Sequence, residues 1–211
     1  MDRTLTFYHA PNTRSSGIRV LLEELKAPHV MHVLDRAKNE HRQTPFLEIN
    51  PLGKVPAITY AGHVVTEQPA IILFLADLFP AAGLAPAVDD PLRGPYLRWM
   101  FLYGSVFEPA IIDFALKRDP GPLAMSPYGS YEAVIDLLEA QLRPGPWLLG
   151  DRFTAADVLW GTALTWTMMF KVVPERPVFL EYAKRLRARP AYIHATAADQ
   201  ALASEQEAAA G

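Results

Sequence analysis

Pro56, between Val55 and the apolar run Ala57 to Tyr60, constrains the fold of this chain more tightly than any other residue. Proline has no N–H to give to a sheet ladder, so it stands at a strand's first residue or on an edge. Of all peptide bonds, only one preceding proline adopts cis cheaply, at about 0.5–1 kcal/mol against 3–4 elsewhere. A cis bond here turns the backbone N–H and C=O of Val55 outward, where an extended ligand can pair with them. Thr66-Glu67-Gln68-Pro69-Ala70-Ile71 follows and opens an amphipathic helix.

Two grammars divide the chain. Up to about Asp77, strand-like runs (Leu5 to Tyr8, His29 to Leu34, Ala57 to Tyr60, His63 to Val65) alternate with helical ones (Arg19 to Lys26, Arg42 to Ile49, Ala70 to Phe79). Ala61-Gly62 is a two-residue link suited to a hairpin. The order β-α-β-α-β-β-α fits a small mixed sheet with helices on its faces. Pro80 to Arg93 is rich in proline, alanine and acid and reads as a linker. Beyond it the pattern is helical: Tyr96 to Lys117, Tyr131 to Leu142, Thr154 to Lys171 and Val178 to Arg187, then an alanine-rich tail expected to fray. The expected division is an α/β domain over residues 1–80, a linker over 81–92 and an all-α bundle over 93–211. Within the bundle, Thr154-Ala155-Ala156-Asp157 has capping-box spacing, with Phe153 set to staple onto Val158. That assigns Asp157 to structure rather than to acid catalysis.

Composition narrows the function. The 20 Lys and Arg against 23 Asp and Glu give a formal net charge of -3, so no broad pull toward nucleic acid is expected. No run approaches the ~20 uninterrupted apolar residues of a membrane span. Met1 to Thr4 enters a strand-like run without the apolar region of a signal peptide, and a cytoplasmic location is the expectation. The chain has 0 Cys. Thiol-disulfide exchange through a protein sulfur is therefore excluded, as are cysteine-ligated zinc and iron–sulfur clusters. No metal site is expected, and any sulfur nucleophile must arrive with a ligand.

From Leu5 to Pro190 the chain resembles the glutathione S-transferase family of bacterial cytosolic type. The resemblance is carried by Asn50-Pro51-Leu52-Gly53-Lys54-Val55-Pro56, by Thr66-Glu67-Gln68 and by the capping box, in that order and spacing. It implies a thioredoxin-like N-terminal domain, a helical C-terminal domain, a homodimer and a detoxifying activity on glutathione and a small electrophile. It further implies that Val55, beside Pro56, pairs with the cysteinyl unit of glutathione. Glu67 would meet the γ-glutamyl ammonium, and Gln68 with the neighbouring helix N–H groups would hold the γ-glutamyl carboxylate. Here the chain departs from the family pattern, because Gln68 replaces the common serine and Pro69 follows it. Lys54 and His41 would face the glycine carboxylate, with Arg42 competing for the role of His41.

The sulfur chemistry falls to Pro11-Asn12-Thr13-Arg14-Ser15-Ser16-Gly17. A free thiol with a pKa near 8.5 is only about 3% ionised at neutral pH. Lowering that value by two units takes ~2.7 kcal/mol of differential stabilisation. A hydroxyl donor, a helix N-terminus and a guanidinium can supply it together. Ser15 is the first candidate for the hydroxyl, Thr13 and Asn12 stand close behind, and Arg14 is the guanidinium, at about the position of the catalytic cysteine in other classes. Tyr8 is disfavoured because it lies within the strand. Trp99, Tyr103 and Phe107 form a stripe at four-residue spacing, from which Tyr103 and Phe107 are the expected wall for an apolar second substrate between the domains. The leading activity is conjugation of the glutathione thiolate to that electrophile. The alternatives are glutathione-dependent peroxide or disulfide reduction, and a non-catalytic binding module.

Overall fold

Phe7 and His9 point to the buried face of β1 (Thr6–His9). This strand pairs in parallel with β2 (Val30–Val33) and antiparallel with β3 (Ala57–Tyr60), which pairs in turn with β4 (His63–Thr66). The strand order is β2-β1-β3-β4. Ala61 and Gly62 both take positive φ, 51° and 82°, the turn geometry whose twist matches a two-residue hairpin. In this computed structural model, which describes residues 3–210, three helices complete the first half: α1 (Ser15–Leu25), α2 (Thr44–Leu47) and α3 (Gln68–Leu78). The mixed, thioredoxin-like order read from the sequence is the one observed.

Helix α1 buries Ile18, Leu21, Leu22 and Leu25 and starts at Ser15 rather than at Arg19. Its polar first turn carries no apolar periodicity, which is why the pattern alone starts it late. It stops at Lys26, with φ of 49°, where the Lys26 amide donates to Glu23 O and the Ala27 amide to Leu22 O. That pair of bonds is a Schellman ending made without glycine.

The helical half comprises α4 (Arg93–Leu102), α5 (Glu108–Leu116), α6 (Tyr131–Leu142), α7 (Ala155–Met169) and α8 (Pro177–Arg187). A wide π turn over Tyr103–Phe107 joins α4 to α5 without a break. Pro109 accounts for it: it has no N–H to give to the carbonyl four residues back, and its ring crowds that carbonyl. The 24-residue span Arg93–Leu116 is long and apolar enough to cross a membrane by length and composition. Its stripe of Tyr96, Trp99, Met100, Tyr103, Phe107, Ala110 and Ile111 is buried, the pattern of a core helix. The capping box at the head of α7 is present. Asp157 accepts from the Thr154 amide at 2.8 Å, the Leu148 amide at 2.7 Å and the Tyr182 hydroxyl at 2.7 Å. Burial pushes its carboxyl upward against these donors, so its work is to join a loop and two helices.

Two boundaries differ from the sequence expectation. The stretch read as a linker is pinned within the helical half, where Leu84 O accepts from the Ala155 amide at 2.8 Å and Arg152 reaches Asp90 at 2.8 Å. The alanine-rich tail does not fray. It forms α9 (Pro190–Ala210), a helix that packs on α1. The chain divides into Gly83–Ala188 as one unit, with residues up to Ala82 and those from Arg189 onward as the other. The bundle expected over 93–211 therefore ends at Ala188. Ala195 is buried on α9, and Arg189 grips the Glu24 carboxylate through two hydrogen bonds. Small side chains let the helix approach, and these long-range contacts supply the stability that composition alone does not display.

Candidate functional site

Three segments meet at the carboxyl end of β1. Tyr8 pairs with Ala57, and Ala57 pairs with Thr66. Carrying the second register one step further sets Pro56 opposite Glu67. Val55 packs with Ala10, Leu34, Phe46 and Ala57, which brings the start of the 11–14 loop to the same place. The Val55–Pro56 bond is cis. Among the described residues, neither the N–H nor the C=O of Val55 has a hydrogen-bond partner. Gly53 takes φ of 58°, and a Cβ there would stand 2.7 Å from the His41 carbonyl oxygen. Only glycine lets the His41 segment close against this turn.

Glu67 is the N-cap of α3 and holds φ of 65° and ψ of 116°. A non-glycine residue held there costs of order 1–3 kcal/mol, and such positions cluster where a side chain must be aimed. Its carboxylate is exposed, at the positive end of the helix, while Gln68 beside it is buried. Lys54 is exposed and His41 half-buried. Burial, and after it the charges of Arg42, Arg36 and Lys54, hold the His41 imidazole below its usual range. The ring is thus neutral at pH 7, within a group of cations that suits a carboxylate ligand.

The loop before α1 carries a chain of hydrogen bonds that the sequence does not disclose. Ser15 is fully buried. Its Oγ lies 2.8 Å from His9 Nδ1 and 2.7 Å from Thr13 Oγ1, accepts from the Ala10 amide at 3.1 Å and is 3.0 Å from Ala10 O. The other ring nitrogen, Nε2, stands 2.6 Å from Asp199 Oδ1 of α9. Asp199 also receives the Ser16 hydroxyl at 2.6 Å and Arg19 Nη1 at 3.2 Å. Burial raises its carboxyl, but His9, Ser16 and Arg19 outweigh burial and hold it below the usual carboxylate range. Asp199 is therefore ionised at neutral pH.

Several expectations change on this geometry. Ser15, the first choice for a hydroxyl near sulfur, is buried among His9, Ala10 and Thr13. Thr13 and Arg14 are half-buried and Asn12 is exposed, so the rim of the loop belongs to these three. Tyr103 and Phe107, the expected wall for a second substrate, lie in the core of the helical half. Both are buried on Trp160, with ring centroids 5.5 and 4.9 Å from it, because an aromatic stripe at helical spacing is the cheapest way to fill a helical core. His9 and Asp199 went unnoticed in the sequence. His9 reads as an ordinary strand residue, and no local pattern links Asp199 to a loop from which it is separated by most of the chain. Among the described residues no group of three or more His, Asp or Glu side chains is set to hold a metal.

Family comparison agrees with this architecture over both halves. The model of the glutathione S-transferase N-terminal domain matches residues 14–78, and that of the C-terminal domain matches residues 128–195. A glutathione transferase from Methylococcus capsulatus is 30% identical, with a TM-score of 0.78 over 93% of this chain and 99% of its own. A sphingomonad glutathione S-transferase, solved with glutathione, is 29% identical, with a TM-score of 0.75 over 92% and 98%. The glutathione S-transferase PARB of Nicotiana tabacum is 27% identical over 173 residues, 76% of this chain and 81% of its own. On its matched domains and on its likeness along nearly the full length, the chain belongs to the glutathione S-transferase family.

Proposed function

We propose that this protein binds glutathione across the open main chain of Val55 and conjugates its thiolate to a small apolar electrophile. The observation that carries the reading is the pairing of that unpartnered edge with the strained, exposed Glu67. One supplies a donor and an acceptor for an extended peptide, and the other supplies an anion for its ammonium. Family membership supports transferase chemistry on glutathione, and the sphingomonad relative was solved with that tripeptide. In this reading Gln68 and the first amides of α3 receive the γ-glutamyl carboxylate. Lys54 and the cations around His41 receive the glycine carboxylate. Asn12, Thr13 and Arg14 border the sulfur. The thiol gives its proton to solvent, the sulfur lone pair forms the new bond to carbon, and the leaving group departs with its own electron pair. A cytoplasmic homodimer is part of the same proposal.

Calorimetry with glutathione, followed by turnover of an aryl halide, tests it. Micromolar to millimolar binding is expected, with Glu67→Gln weakening it at least tenfold and Thr13→Ala lowering kcat more than affinity. A wild-type protein that does not bind glutathione overturns the reading. Oxidised glutathione as the product, with peroxide as the partner, would replace conjugation by reduction.

A further inference from the structure

We propose that the last helix, α9, sets the position of the loop bordering the sulfur, and that it does so through Asp199. This rests on the glutathione reading above. Asp199 is then a positioning residue, acting through the backbone that it holds.

Arg14, the N-cap of α1, makes no side-chain capping bond, and the first turn of that helix contains no acidic residue. The anion that favours a helix N-terminus comes instead from 183 residues further along the chain. Asp199 Oδ2 accepts the Ser16 hydroxyl at 2.6 Å and stands 3.5 Å from the Asn12 amide. Its Oδ1 accepts from Arg19 Nη1 at 3.2 Å and lies 2.6 Å from His9 Nε2. One buried carboxylate thus joins the end of β1, the loop and the first two turns of α1. Helix α9 is tied to α1 a second time, where Arg189 grips Glu24 in the last turn. Only the tie through Asp199 reaches the loop.

In the glutathione reading the ends of the tripeptide are held at Val55, at Glu67 and by the cations near His41, and its sulfur meets the loop. A displaced loop therefore costs thiol ionisation and turnover more than affinity. Misplacement by about 1 Å can cost a hundredfold in rate. Removing the Asp199 carboxylate acts on the bound thiol in two ways of opposite sign. Loss of a nearby negative charge, by itself, lowers the thiol pKa. Retreat of the loop's hydrogen-bond donors from the sulfur raises it. A rise is the mark of positioning.

The experiment titrates the ultraviolet thiolate absorbance of bound glutathione from about pH 5 to 9. It adds kcat on an aryl halide, calorimetry and urea unfolding, for wild type, Asp199→Asn, Ser16→Ala and Arg189→Gln. In Asp199→Asn the thiol midpoint should rise by about half a pH unit and kcat should fall about tenfold, with the Kd of glutathione changed less than about threefold. Ser16→Ala removes one bond to Asp199 and leaves its charge in place, so a smaller rise of the same sign is expected. That variant decides the matter if Asp199→Asn does not fold. Arg189→Gln loosens α9 at the other end of α1, where the urea midpoint should drop and the thiol midpoint should stay. Absence of glutathione binding by the wild type removes the functional reading and this proposal together. With wild-type binding and turnover established, an unchanged or lower thiol midpoint in the deciding variant overturns this proposal alone. An equal rise in Arg189→Gln also overturns it, since any loosening of α9 would then have the same effect.

Discussion

Glu67 shows at the scale of one residue how a strained backbone position draws on stability. A glycine would hold its backbone angles without strain, so Glu67→Gly should stabilise the protein by about 1 kcal/mol. Glutathione binding should be lost in the same variant. Chemical denaturation and calorimetry on one preparation measure the two effects, and a variant that gains stability while keeping its affinity would show that the carboxylate has no ligand to meet. The place of Glu67 at the head of α3 was legible in the sequence because its neighbours Thr66 and Gln68 form a recognisable turn. The burial of Ser15 was not legible, because capping, catalysis and burial all favour a small hydroxyl at that point in a chain. Position along the chain does not say which way a hydroxyl faces.

Among elements, the capping box shows what a sequence pattern carries in full. Thr154 and Asp157 stand three apart, so the contact between them is fixed by helix geometry wherever the helix lies. The further bonds of Asp157 to the Leu148 amide and the Tyr182 hydroxyl depend on packing and could not be read from spacing. Asp157→Ala would leave these donors and the Thr154 amide buried without an acceptor, each costing about 1–3 kcal/mol. A loss of roughly 3 kcal/mol or more in urea unfolding is expected, with glutathione affinity unchanged where the protein remains folded. A loss below 1 kcal/mol would mean that water replaces the carboxylate. The π turn at Tyr103–Phe107 makes the opposite case: Pro109 predicts a disturbance, but a kink, a break and a widened turn all answer to the same residue.

The whole molecule is held to a pattern in which the last helix belongs with the first strand. Asp199 is the link, and its acid titration should be visible in global stability. Its folded pKa is depressed, so its contribution is present above the unfolded value, about 3.9, and is lost as pH falls through the folded one. The stability difference between wild type and Asp199→Asn should therefore shrink as pH drops from about 5 toward 3. Thermal unfolding across that interval measures it, and a difference that stays constant would place the carboxylate outside the folding balance.

Periodicity, turn residues and the position of one proline determined the order of strands and helices, the family and the open main chain at Val55, because each is a property of neighbours along the chain. Tertiary structure alone decided that the alanine-rich tail docks, that Ser15 is buried and that Asp199 reaches His9. Those outcomes arise from contacts between residues far apart in sequence. Their energy depends on which surfaces meet, and no local pattern records that.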